Sequence, residues 1–147
     1  MLKERLAAEM RAALKGGEKL RLGTLRLLAA SVKNREVELR HELSDEELVE
    51  VAVREVKRRA EAIEAYEKGG RPDRAEVERQ EMQVLQAYVP AALSEDELDA
   101  LIDQAVLETG ASGPGDLGAV MRYVMERARG RADGQQVQER VRGRLTG

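Results

Sequence analysis

The chain has 147 residues, 42% of them hydrophobic, with Tyr66, Tyr88 and Tyr123 as the only aromatics and no Phe, Trp or Cys. That length accommodates one large domain or two small ones. The absence of cysteine excludes disulfides, a thiol nucleophile and a zinc–thiolate centre. The net charge of −3 hides a sorting along the chain. Residues 1–40 carry ten Lys and Arg against five acids, residues 41–121 eight against twenty, and residues 122–147 seven against three. Such sorting suits a polyanionic partner for the basic ends if the fold unites them, and it suits equally well a set of helix surfaces that differ in sign.

Leu2, Leu6, Met10 and Leu14 form one stripe at four-residue spacing and predict a first helix ending at Gly16-Gly17. A second is expected from about Glu18 to Arg40, with Leu25, Leu28, Ala29, Val32 and Leu39 on its inner face. Ser44 followed by Glu47 is a capping box that opens a third helix, with Val49, Val53, Val56, Ala60 and Ile63 as its expected stripe and Gly69-Gly70 as its end. Arg71-Pro72-Asp73 turns into a fourth helix bearing Val77, Val84, Leu85 and Tyr88, which stops before Pro90. A second capping box, Ser94 with Glu97, starts a helix with Leu98, Leu101, Ile102, Ala105 and Val106 on one face and Gly110 as its terminator. After the loop 111–115, Leu117, Val120, Met121, Val124 and Ala128 mark another helix closed by Gly130. Asp133 caps a last one with Val137, Val141 and Leu145. No strand pattern alternates anywhere. The expected fold is all-α: an N-terminal helical domain of long antiparallel helices over residues 1–92 and a C-terminal three-helix bundle over 93–147.

Few residues invite chemistry. Glu38 and His41 have the Glu-x-x-His spacing of di-iron bundles, but such centres need two copies and His41 is the only histidine, so no metal is expected. Ser44 and Ser94 are caps, Ser112 lies in a glycine loop, Ser31 lies inside a helix, and none has a His or Lys partner at motif spacing. Phosphate-loop and dinucleotide glycine patterns are missing, so no cofactor and no catalytic residue are expected. Glu78 and Glu81 read as a solvated acidic face in preference to a carboxylate pair. Two basic features remain. Arg54, Lys57 and Arg58, with Arg59 beside them, share the polar side of the third helix. Arg129-Gly130-Arg131-Ala132-Asp133-Gly134 sets two arginines beside a helix start, one turn pair beyond Arg122. From the residues alone this turn reads first as a structural corner with solvated arginines and second as an anion site.

Those residues also carry a resemblance. Gly118-Ala119-Val120-Met121, Val124-Met125, Arg129 through Gly134 and Val137 closely resemble the tail of the YqeY family and of the C-terminal domain of GatB, the B subunit of glutamyl/aspartyl-tRNA amidotransferase. Leu25-Arg26-Leu27-Leu28, Asn34, Glu55 through Arg59, Gly70 through Asp73, and Tyr88-Val89-Pro90 through Leu93-Ser94 follow in the family's order. Arg129 stands where Lys is usual, which keeps the charge and alters its geometry. The resemblance covers essentially the whole chain and implies a front helical domain followed by a three-helix tail that helps to hold tRNA. It implies a non-catalytic tRNA-binding accessory module linked to tRNA-dependent amidation or aminoacylation, working beside an aminoacyl-tRNA synthetase or amidotransferase. Two other readings stand beside it: a component of a carbon–nitrogen ligase with glutamine as amide donor, active only in a complex, and a helical protein–protein adaptor using the acidic middle. With so few aromatics, RNA contact is expected at phosphates and overall shape, through Arg54, Lys57, Arg58, Arg122, Arg129 and Arg131. No DNA and no membrane partner are expected. The N-terminus has no apolar run long enough for a signal peptide or membrane span, which makes the cytoplasm the expected compartment.

Overall fold

The computed structural model describes residues 1–146. Its contacts divide between Pro90 and Ala91 into two compact units, two residues before the division expected from the sequence. Among the described residues there are seven α-helices, one 3₁₀ turn and no strand, so the protein is all-α.

The first unit holds α1 (Leu2–Lys15), α2 (Lys19–Leu39), α3 (Asp45–Lys68) and α4 (Pro72–Gln86). Short connections force successive helices to run antiparallel. Lys3 near the start of α1 reaches Glu36 near the end of α2 at 2.8 Å, and Arg59 of α3 reaches Glu81 of α4 at 3.2 Å. Leu6, Ala13, Leu25, Leu28, Val32, Leu48, Val51, Ala52, Leu85 and Tyr88 close the core between these helices. Burying each leucine contributes about 1.5–3 kcal/mol, so this is where the stability of the unit resides. The capping box at Ser44 is complete: its hydroxyl accepts from Glu47 N–H at 3.2 Å, and the Glu47 carboxylate accepts from Ser44 N–H at 3.0 Å. Proline at the first turn of α4 costs nothing, since that N–H has no helical partner to lose.

The second unit holds α5 (Glu95–Thr109), a 3₁₀ turn (Pro114–Asp116), α6 (Leu117–Ala128) and α7 (Gly134–Thr146). Leu98, Ile102, Ala105, Val120, Val124, Ala128, Val137 and Val141 form its core. Gly110 ends α5 in the left-handed region, φ 67°, and lets Ala111 N–H turn back to Val106 O at 3.1 Å. The loop after it is held by Asp116, whose carboxylate accepts from Ser112 N–H at 2.9 Å. Arg140 and Arg144 of α7 pair with Asp99 and Asp103 of α5, so these two helices run parallel.

Several expected faces differ. In α3 the buried residues are Leu48, Val51, Ala52, Glu55 and Arg59, whereas Val49, Val53, Val56 and Ile63 are only half-buried and Ala60 is exposed. The cause is position: α3 packs against α2 and α4, and the side turned between them holds an ion pair along with its apolar residues. In α1 the inner face runs through Leu6 and Ala13, and Leu14 is 61% exposed. In α4 Ala75 is buried and Val77 faces outward.

Candidate nucleic-acid interface

In the first unit, α2 and α3 leave a polar groove of about 230 Å³ between them. Ser31, Asn34, Arg35 and Glu38 line it from α2, and Arg54, Glu55 and Arg58 from α3. The helical repeat explains the set, because 31, 34, 35 and 38 share one face, as do 54 and 58. Glu55 is 7% exposed and Arg59 likewise, so both charges have left water. Arg59 Nη1 donates to Glu55 Oε2 at 2.9 Å and its Nε to Glu81 Oε2 at 3.2 Å, while Ser31 Oγ donates to Glu55 Oε1 at 2.8 Å. A buried carboxylate survives only when paired and hydrogen-bonded, and these contacts meet that need. The cluster therefore ties α2, α3 and α4 together. Its hydroxyl and carboxylate are committed to each other and to Arg59.

Above this base the arginines are differently employed. Arg35 is spent on Glu38 at 2.8 Å. Arg58 is 74% exposed and touches Glu55 only at 3.7 Å. Arg54 and Lys57 are exposed and, among the described residues, make no ion pair. Three expected residues of α3 are thus brought together as free or loosely held cations, with Arg54 and Arg58 in the groove and Lys57 on the adjoining surface. Arg59, expected on the same polar side, is instead the buried partner of Glu55 and Glu81. Glu81 likewise belongs to that ion pair and not to a solvated acidic face. Sequence reasoning missed Ser31 and Arg35 as neighbours of these cations. The available signal was Glu55 and Arg59 four residues apart in register with Leu48, Val51 and Ala52.

In the second unit, Arg122 is exposed on α6 and Arg129 is exposed just after it. Gly130 takes φ 76° and turns the chain, and Asp133 stands at the start of α7, its carbonyl accepting from Val137 N–H at 3.0 Å. Arg131 is a tie within the unit. Its carbonyl accepts from Leu93 N–H at 2.8 Å, and its Nε donates to Ala91 O at 2.9 Å. Its Nη2 lies 4.0 Å from Glu97. His41, at the end of α2, has Nδ1 2.8 Å from Glu42 O and Nε2 3.5 Å from Glu47. No cluster of three potential metal-ligating side chains occurs among the described residues.

The sequence model of the Yqey-like proteins matches residues 3–145. The chain belongs to the YqeY family. It is 30% identical over 141 residues to "Altered inheritance of mitochondria protein 41, mitochondrial" of Pyrenophora tritici-repentis, an alignment covering 93% of this chain and 77% of that relative. It is 33% identical over 101 residues to the protein of the same name from Eremothecium gossypii, covering 67% of this chain and 55% of that relative. The second alignment thus spans little more than half of the relative's length. Both of those relatives are named as mitochondrial. No helix among the described residues of the present chain is long and apolar enough to cross a membrane.

Proposed function

We propose that this YqeY-family chain is a non-catalytic accessory module that grips the phosphate backbone and shape of a tRNA. The observation that carries the reading is the cationic set Arg54, Lys57 and Arg58 on the exposed side of α3, rigidly mounted above the buried Glu55–Arg59–Glu81 ion pairs. A phosphate attracts guanidinium groups that are not already neutralised, and forked donors suit its oxygens. Arg122 and Arg129 supply further exposed charge in the second unit. Arg131 contributes as a tie to residues 91–93, which keeps the Arg129–Gly134 corner in shape. The link to tRNA-dependent amidation or aminoacylation, and with it a synthetase or amidotransferase partner, draws support from the GatB-like tail residues Gly118 through Val137.

The test is a titration of tRNA with wild type and with Arg54→Ala/Lys57→Ala at several salt concentrations. Both substitutions are on exposed, unpaired side chains, so the fold is expected to persist. Losing two phosphate contacts should lower the slope of log affinity against log salt by about 1.4–1.8, depending on strandedness. Absence of binding by wild type at low salt refutes the function, and equal slopes for the two proteins remove α3 from it.

A further inference from the structure

We propose that the groove between α1 and α2 is a docking surface for an acidic amphipathic helix of a partner protein. The inference is independent of the RNA reading, which uses the other side of α2. Two adjoining hollows of about 360 and 250 Å³ share Ala7 and Met10 and run along the α1–α2 pair. From Lys3 to Leu14 the groove follows α1 for twelve residues, about 17 Å at the helical rise, or three turns of a docked helix. Its floor is apolar: Leu6 and Val32 are buried beneath it, Met10, Leu22 and Ala29 are half-covered, and Leu14 is 61% exposed at one end. An unpartnered groove between two antiparallel helices is the shape into which a third helix lays an apolar stripe.

Charge decides what kind of helix. Arg11 and Arg26 flank the hollow that holds Leu14, and Lys33 flanks the other. All three are exposed and, among the described residues, make no ion pair. Lys3 is compensated by Glu36 at 2.8 Å, and Glu9 is held by Arg5 at 2.6 Å and Arg21 at 2.8 Å. The rim therefore presents three uncompensated cations around an apolar floor. An incoming helix with leucines on one stripe and Asp or Glu beside it satisfies both parts at once, and its carboxylates set orientation and specificity. Nucleic acid fits the cations but not the floor, which contains no aromatic side chain on which a base could stack.

The experiment uses the full chain and a fluorescein-labelled, stapled 18-residue helical peptide with leucines at i, i+3, i+4 and i+7 spacing flanked by Glu. Its counterpart has Lys in place of each Glu. Wild type is expected to bind the Glu peptide and to prefer it to the Lys peptide. Leu14→Ser, at an exposed position, should weaken binding about tenfold, as expected for losing one buried leucine side chain. Arg11→Glu/Arg26→Glu should invert the preference between the two peptides, a gain that misfolding cannot produce. Equal binding of the two peptides by wild type, an unchanged preference in the charge-reversed protein, or competition by polyglutamate as effective as by unlabelled peptide overturns the proposal. So does a wild-type dimer that Leu14→Ser dissociates, since a second copy is then the occupant.

Discussion

Arg59 and Glu55 show how much one buried charge depends on another. Both side chains are about nine-tenths covered, and Glu55 accepts from Arg59 at 2.9 Å and from Ser31 at 2.8 Å. Removing Arg59 leaves a buried carboxylate with its weaker partners only. Arg59→Met is expected to destabilise the first unit by roughly 3 kcal/mol, the low end for a broken buried pair, because Ser31 and Arg58 still reach Glu55. Removing both charges relieves the problem, since Glu81 is 22% exposed and can turn to water. Glu55→Leu/Arg59→Met should therefore be more stable than Arg59→Met alone, by a kcal/mol or more on the scale of such replacements. Urea unfolding of the three proteins measures the ordering. A double variant less stable than the single variant contradicts this account.

At the scale of the helix, α3 and α5 start with the same device, a serine and a glutamate satisfying two backbone N–H groups between them. Ser44→Ala and Ser94→Ala should each cost about 1 kcal/mol. The hydrogen bonds from Ser44 N–H and Ser94 N–H hold the Glu47 and Glu97 carboxyls below the usual carboxylate range. A carboxyl whose folded pKa is depressed stabilises the fold above its unfolded value of about 4.3, and that stability is lost as the pH falls through the lower folded value. Acid titration of stability should thus show a smaller loss in Glu47→Gln and Glu97→Gln than in wild type. Unchanged acid slopes in both variants speak against the linkage. These caps were legible as sequence, because a capping box is local chemistry. So were the faces of α5, α6 and α7, where Ile102, Val124 and Val137 each look onto a single core. The face of α3 was not legible: spacing favours Val49, Val53 and Val56, while packing on two sides turns Leu48, Val51 and the Glu55–Arg59 pair inward. Leu14 and Val77 continue apolar patterns beyond the point where a neighbouring helix covers them.

Across the whole molecule each unit has its own core. The first is closed by leucines and Tyr88 over four helices; the second relies on three short helices and mainly alanine and valine. Small cores bury a smaller share of the chain's surface. Hydrogen exchange on the intact protein should therefore find the amides of α5, α6 and α7 opening at lower free energy than those of α2 and α3. Equal protection of the two sets defeats that ranking. The candidate interface was only half readable at this scale. Arg54, Lys57 and Arg58 stand out as a run of cations. Arg35 with Glu38 and Arg59 with Glu55 are pairs at helical spacing, whereas the reach of Arg59 to Glu81 and the tie of Arg131 to Ala91 depend on residues 22 and 40 positions away, which no local pattern reports.

The tie at Arg131 also has a meaning in time. Leu93 N–H and Ala91 O find their partners 38 and 40 residues later, on Arg131 at the α6–α7 corner. During synthesis at about 5–20 residues per second, the segment 91–93 waits roughly 2–8 seconds for that corner to be made. The first unit contains all of its own core by Tyr88 and can complete it meanwhile. The strap at 91–93 therefore gains these two hydrogen bonds only after every core residue of the first unit has been made.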